Sequence, residues 1–400
     1  MKSDLLKAIL ICLVIIVAGS SALHAQTKST PQRVIVIMID GFGEKYYRAA
    51  SMPFLNKMEK DGIYKVVPSL MPAVTNVNNM AIASGTTPDK TGITGNVYYD
   101  AAKQKEVYIE DPSILLTPTI FQRAHKLGVK SALISVKKKT VDVMGKYADY
   151  AICPECKPAQ IKWKGDKVRF ADVYSREVSC QVLDAANTLL KTDKNVKLLY
   201  IHTTDYPMHM WPPENDSVKV FLSNIDRYIA KLHATAPDAA ILITADHDLN
   251  HKSQVWDLEK LLAERKTPVK IVVSPEKDRY LVHHRGFGGA AYVYLNNSKD
   301  ALKVRQQLIK VKGIETVLTK AEAIKKYHLM GNRIGDLMVT GDKETVFGSL
   351  EKGSYEKLPE TYRSHGSAYE ARVPLFVYNA KNAPSAKYFN WNYQLVAWLY

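Results

Sequence analysis

The sequence predicts an α/β fold: a mostly parallel central sheet flanked by helices, with a smaller inserted cap region. Three observations predict it. Continuous apolar runs recur at Arg33 to Ile39, Lys130 to Val136, Lys197 to His202, Ala239 to Thr244 and Val373 to Tyr378. Such runs are strands buried on both faces, the mark of a parallel sheet. Stretches with helical periodicity lie between them, giving βα alternation. Finally, four runs are followed within three residues by acidic, imidazole or ammonium groups, and the carboxyl ends of strands are where open α/β sheets bind ligands.

The gross numbers set bounds. A chain of 400 residues, 46% of them hydrophobic, buries a large core as one big domain with an insertion, or as two domains. The net charge is +15, which suits nucleic acid, a membrane surface or small anions. The only dense basic run is Lys137-Lys138-Lys139, and no aromatic residues interleave it. A small anionic substrate therefore ranks above a nucleic-acid polymer, and none of the latter is expected. The oligomeric state stays open.

The first residues read as a secretory signal peptide. Lys2 and Lys7 flank Asp4, Ala8 to Ala18 is apolar, and Gly19-Ser20-Ser21-Ala22 and Ala25-Gln26 supply small residues for cleavage after Ala22 or Ala25. The apolar run is too short for a comfortable membrane span. The expected product is exported, periplasmic or secreted, with no stable membrane span once the signal, residues 1–25, is removed. Cys12 leaves with it. In an oxidising compartment Cys153 and Cys156 pair most simply as a disulfide, leaving Cys180.

In chain order, Arg33 to Ile39 ends in Asp40-Gly41. Asp40 can start a turn, or present a carboxylate to a metal. Met52 to Gly62 reads as an amphipathic helix with a glycine stop. Val66 to Leu70 is a strand end before PAVTNVNNMAIASG, Pro72 to Gly85. Thr75 stands there at a strand-to-helix junction. It is either an N-cap or a nucleophile, because helix amides and dipole favour an attacked phosphoryl group. Thr91 to Tyr99 follows, where Gly92 and Gly95 allow close backbone approach. Asn96 is a turn residue or an amide donor to an oxyanion.

Leu115 to Leu127 reads as a helix with Pro118 near its start. The strand Lys130 to Val136 leads directly into Lys137, Lys138 and Lys139. They form a solvated charge run, or some of them point into the site. Val173 to Leu190 reads as a helix. Past Lys197 to His202 come Asp205 and His209, four apart and able to converge on one ion. Phe221 to His233 reads as a helix. Past Ala239 to Thr244 come Asp246 and His247. From Gly286 onward short strands and helices alternate, as a βαβα subdomain or a late extension of the sheet. His365 sits in the loop Ser364-His365-Gly366, before the closing strand Val373 to Tyr378.

Asp40, Asp205, His209, Asp246, His247 and His365 thus arrive from separate places, most of them at strand ends. An Asp/His mixture suits a borderline ion such as zinc. Together with the Thr75 hydroxyl the set suits two neighbouring ions, which clamp the attacking and leaving oxygens of an in-line displacement and make a hydroxyl a usable nucleophile.

The order IMIDG, AVTNVNN, GITGN, TTDYPMH, TADHD, SHGS resembles the alkaline phosphatase superfamily, in its nucleotide pyrophosphatase/phosphodiesterase branch. The resemblance covers nearly the whole mature chain. It is closest to the phosphonoacetate hydrolases, through the TNxNN loop, TTDY with histidine four after the aspartate, and paired lysines after a strand. It implies an alkaline-phosphatase-like catalytic domain over residues 26–400, with cap insertions near 97–125, 140–175 and 250–290. It implies two zinc ions. Asp205, His209 and His365 would hold one; Asp40, Asp246 and His247 the other, with Thr75 bridging to it as nucleophile. Asn96 would donate to the phosphoryl oxygen, and Lys137 and Lys139 would grip a substrate carboxylate. The implied reaction is C–P cleavage of phosphonoacetate to acetate and phosphate. The alternative is an exported phosphodiesterase or nucleotide pyrophosphatase. A non-catalytic anion or metal binder has no need of an activated threonine.

Overall fold

The computed structural model describes residues 32–156, 170–279 and 284–400. The expected signal peptide, with Cys12, lies outside these residues. The strands used below are β1 Val34–Met38, β2 Ile63–Pro68, β3 Val97–Asp100, β4 Lys105–Tyr108, β5 Ser131–Ser135, β6 Tyr150–Ile152, β7 Leu198–His202, β8 Ala240–Thr244, β9 Ile271–Val273, β10 Ala290–Tyr294, β11 Ile314–Thr319, β12 Leu337–Gly341 and β13 Arg372–Tyr378.

Seven of them form the central sheet, in the spatial order β2-β13-β8-β1-β7-β5-β6. Strand β13 runs antiparallel to β2 and β8; the other neighbours are parallel. Every residue of β1, β5, β7 and β8 is buried. A fully buried Val, Leu or Ile contributes about 1.5–3 kcal/mol by leaving water, so these strands are firmly placed, and with them the residues that follow. Helices flank the sheet. Glu177–Thr192 packs on β5, β7 and the helix Asp216–Thr235, and Pro53–Asp61 packs on β2 and β13.

Several elements differ from the sequence expectation. The helix expected over Leu115 to Leu127 is a 3-10 turn, Pro112–Ile114, and then a helix, Ile120–Lys126. Pro118 disfavours helical backbone before it, and Thr119 caps the helix by accepting from the Gln122 amide. The helix expected from Val173 begins at Glu177, and the one expected from Phe221 begins at Asp216, capped by Asn215.

The region from Gly286 to Gly341 does not extend the central sheet; it has the expected βαβα order, β10, helix Ala301–Leu308, β11 and helix Lys320–Tyr327, followed by β12. It contributes to a separate four-stranded antiparallel sheet, β9-β10-β12-β11. Strand β9 comes from within the expected 250–290 insertion, and the sheet continues to Gly341. The β3–β4 hairpin, inside the expected 97–125 insertion, packs against this sheet through Tyr99 on Tyr294. The expected 140–175 insertion contains β6, an edge strand of the central sheet; its residues 157–169 lie outside those described. Cys153 and Cys156 form a disulfide. Among the described residues no helix is long and apolar enough to cross a membrane.

Candidate active site

Register explains why distant residues meet. Met38 of β1 pairs with His202 of β7 and Thr244 of β8, and His202 pairs with Ser135 of β5. Adjacent strands lie about 4.8 Å apart. The chain therefore leaves the sheet at one edge four times in a row, delivering Asp246 and His247, then Asp40, then Asp205, then Lys137. Strand β2 runs in the same direction and leads to Thr75.

Thr75 is neither a cap nor exposed. Val74 holds the cap position, and Thr75 is the first residue of the helix Thr75–Ser84, all ten of whose residues are buried. Asn78 pins the preceding loop, accepting from the Leu70 amide at 2.7 Å and donating to the Leu70 carbonyl at 2.9 Å. Thr75 Oγ1 comes to 3.3 Å from His247 Nε2.

The three expected imidazole ligands share one orientation. His209 Nδ1 donates to the Arg363 carbonyl at 2.9 Å, His247 Nδ1 to the Asp248 carbonyl at 3.1 Å, and His365 Nδ1 to the Ala73 carbonyl at 2.8 Å. A carbonyl only accepts, so each Nδ1 carries a hydrogen; in the neutral ring Nε2 then keeps its lone pair, the tautomer a metal requires. The contact from His365 to Ala73 also ties the SHGS loop to the Thr75 loop, and Gly366 bridges Ala73 there at φ +113°.

The Nε2 atoms face carboxylates. His209 Nε2 is 3.0 Å from Asp205 Oδ2. His247 Nε2 is 3.2 Å from Asp246 Oδ2 and 3.5 Å from Asp40 Oδ1. Asp40 Oδ1, Asp246 Oδ2 and His365 Nε2 are buried and make no hydrogen bond among the described residues. Buried acceptors aimed at one another are costly unless a cation lies among them, so the donors fit a metal. Asp205, His209 and His365 offer ligand atoms all within 4.8 Å of one another, and so do Asp40, Asp205 and His247. Asp205 thus faces both groups, where the family resemblance implied one. The two groups adjoin, because the His247 and His365 rings stack with centroids 3.5 Å apart.

The charges respond to this crowding. Burial and the neighbouring Asp205 push Asp40 upward, but the Lys137 ammonium and the His202 contact outweigh them and hold its carboxyl well below the usual range. Burial, then the Asp40 charge, push Asp246 far up. Burial, reinforced by the charge of His365, keeps His247 neutral. Burial lowers His365, but the Glu276 carboxylate beside it prevails and lifts it to about 9.

Lys137 is where the sequence expected a carboxylate grip, and its ammonium contacts Asp40 Oδ2 at 2.6 Å and Asp205 Oδ1 at 3.1 Å. Lys138 turns to Asp142, and Lys139 pairs with Asp278. Thr75, Asn96, Lys137, Lys139 and Asp205 line one cavity of about 560 Å³. Asn96 Nδ2 donates to Glu276 Oε2 at 3.3 Å, and Glu276 Oε1 lies 3.4 Å from His365 Nε2. All ten expected site residues therefore gather at one edge of the sheet.

Sequence reasoning missed Glu276, Asp278, His202 and His284, whose ring stacks on His209 at 4.2 Å. Only His202 carried a signal, as a polar residue closing an otherwise apolar strand. Asp248 stands beside His247 with its carboxylate in the space a Cβ on Gly43 would need.

The chain matches known proteins along most of its length. The family model described as type I phosphodiesterase/nucleotide pyrophosphatase matches residues 34–368. The crystal structure of phosphonoacetate hydrolase from Sinorhizobium meliloti 1021, in complexes with phosphonoformate and with phosphonoacetate, is similar at 30% identity with a TM-score of 0.82. The match covers 92% of this chain and 95% of that one. Murine ectonucleotide pyrophosphatase/phosphodiesterase 5, solved as an inactive threonine-to-alanine variant with AMP, shares the fold at 17% identity and a TM-score of 0.63, over 87% of this chain and 88% of that one. An uncharacterized pyrophosphatase/phosphodiesterase of Schizosaccharomyces pombe is 24% identical over 208 residues, 50% of this chain and 40% of the relative's length. The alkaline-phosphatase-like fold, the ordered strand-end residues and the family match agree: the chain is a metal-dependent hydrolase of the type I phosphodiesterase/nucleotide pyrophosphatase family.

Proposed function

We propose that this hydrolase holds two zinc ions and uses Thr75 to cleave the C–P bond of phosphonoacetate, giving acetate and phosphate. The observation that carries the reading is the Thr75 hydroxyl, 3.3 Å from His247 Nε2, beside two adjoining Asp/His groups and a lysine-lined cavity. Asp205, His209 and His365 would hold one ion; Asp40, Asp246, His247 and Thr75 the other. The bound ions would supply Lewis acidity, favouring the alkoxide and neutralising phosphoryl charge.

This chain's residues do the rest. Thr75 sits on the first turn of its helix, whose amides and dipole favour a phosphoryl group. Its oxygen attacks phosphorus and the P–C bond breaks. The electron pair passes to the carboxymethyl carbon and delocalises into the substrate's own carboxylate; the carbon then takes a proton from solvent, balancing the one Thr75 gives up to solvent on attack, to become acetate. Asn96 donates to a phosphoryl oxygen, and the ammonium charges of Lys137 and Lys139 stabilise the carboxylate. Water then attacks phosphorus, the bond to Thr75 Oγ1 breaks, and phosphate leaves as Thr75 regains its proton. The Cys153–Cys156 disulfide suits an oxidising compartment, in keeping with an exported enzyme.

A second reading, hydrolysis of phosphodiesters, is favoured by one observation. The cavity of about 560 Å³ is roomier than phosphonoacetate needs. A substrate panel with added zinc separates the two. Phosphate release from phosphonoacetate should exceed p-nitrophenol release from bis(p-nitrophenyl) phosphate in kcat/KM. The reverse order assigns the diester reading.

A further inference from the structure

We propose that His202 is a positioning residue that orients Asp40 toward its ion and ties it to the helix of the nucleophile and to the lysine turn. It closes β7, between Met38 of β1 and Ser135 of β5, the two strands that lead into Asp40 and Lys137. It is fully buried. Its Nε2 stands 3.0 Å from Asp40 Oδ2. On its other side, Nδ1 is 3.0 Å from Ser135 Oγ, 3.0 Å from Thr140 Oγ1 and 3.2 Å from Asn79 Nδ2.

An ionised carboxylate only accepts, so Nε2 carries the hydrogen and Nδ1 accepts from the Asn79 amide and a hydroxyl. This is the reverse of His209, His247 and His365, each of which gives its Nδ1 hydrogen to a backbone carbonyl. His202 is therefore not built as a ligand. It holds Oδ2 of Asp40, which also receives Lys137, and leaves Oδ1 turned toward His247 Nε2.

The partners on Nδ1 extend the connection. Asn79 lies one turn beyond Thr75 on the same helix, and its Oδ1 accepts from Tyr200 Oη at 2.6 Å. Ser135 Oγ accepts from the Lys137 amide at 3.0 Å, and Thr140 lies in the helix that starts just after Lys137. One imidazole thus joins the Asp40 carboxylate, the helix of Thr75 and the segment bearing Lys137. Groups that orient a metal ligand in this way typically govern about 10- to 100-fold of metal affinity or activity.

The role rests on the reading that Asp40 holds an ion, so the test measures zinc directly. Apo wild type, His202→Gln, His202→Asn and His202→Ala are titrated with zinc against a chromophoric chelator, with kcat and KM measured in parallel. Glutamine places its terminal amide where Nε2 stands; asparagine places it where Nδ1 stands. The Ala and Asn variants should bind one of the two ions about 10- to 100-fold more weakly and lose kcat with little change in KM, and Gln should recover most of both. Equal zinc affinity in all four proteins, or a Gln variant as impaired as Asn, overturns the role. Should His202→Ala fail to fold, Thr140→Val keeps the ring and removes one Nδ1 partner. It should weaken the same ion a few-fold, and unchanged zinc affinity there counts against the role. Wild-type protein that binds no zinc overturns the two-ion reading itself and the role with it.

Discussion

Thr75 Oγ1 and His247 Nε2 stand 3.3 Å apart although 172 positions separate them in the chain. That contact joins the loop after β2 to the loop after β8, and it puts one hydroxyl within reach of the Asp/His donors. Because His247 gives its Nδ1 hydrogen to the Asp248 carbonyl, the lone pair on Nε2 is what faces Thr75.

Metal removal tests the donor set. Dialysis against a chelator should reduce hydrolysis to background, and added zinc should restore it. His365→Ala should lower kcat/KM by roughly 10³-fold, the size of several kcal/mol of lost charge stabilisation. Zinc bound per chain should fall by one ion, read by elemental analysis. A His365→Ala protein with two ions and a native rate removes His365 from the ligand set.

Lys137 and Lys139 test substrate class. The double change Lys137→Ala, Lys139→Ala should raise KM for phosphonoacetate by at least about 10-fold, the value of a charge-assisted hydrogen bond, and impair an aryl phosphodiester, which has no carboxylate, less. Lys139 pairs with Asp278 in a partly buried contact. Asp278→Asn should therefore weaken that hold and lower KM for the carboxylated substrate roughly 2- to 5-fold, matching an ion pair of up to about 1 kcal/mol. Steady-state kinetics on both substrates reads the outcome.

The loop carrying His365 is held by a buried ion pair. Lys252 Nζ lies 2.8 Å from Glu370 Oε1, both side chains fully buried, and Glu370 also accepts from Ser367 and Asn250. Glu370→Ala leaves the ammonium unpaired and should cost about 3–5 kcal/mol, measured by urea unfolding. The double change Lys252→Met, Glu370→Leu should cost less than the single one, because it buries no lone charge.

Cys180 is the free cysteine among the described residues, and burial pushes its thiol up to about 11. The folded form keeps its proton where the unfolded thiol has lost it. Native stability from this group therefore declines as pH rises from about 9 toward 11. Alkylation by iodoacetamide should be slow at pH 8 and accelerate above pH 10, followed by mass spectrometry. Rapid labelling at pH 8 by folded protein contradicts the burial argument.

Much of the fold and the site was legible because parallel strands advertise themselves. Val34–Met38 is apolar throughout, and Leu198–His202 and Ala240–Thr244 are apolar up to their last residue, so the acidic residues that follow each run are conspicuous, and Asp40, Asp205 and Asp246 were found that way. What the string cannot carry is lateral order. That β1 lies between β7 and β8 decides that Asp205 faces both donor groups. The βαβα order after Gly286 was legible, but the antiparallel pairing of its strands in a second sheet was not, because helices Ala301–Leu308 and Lys320–Tyr327 separate them and leave the pairing direction open. Glu276 and Asp278 sit in a turn with no periodicity, and only the folded chain brings them to His365 and Lys139.

The most direct measurement compares wild type with Thr75→Ala, both zinc-loaded, for phosphate release from phosphonoacetate. The account predicts that the variant retains its zinc and loses at least about 10³-fold in kcat, as expected when a nucleophile is removed. A variant that turns over at the wild-type rate contradicts it, because the hydroxyl at the centre of the site would then have no part in the reaction.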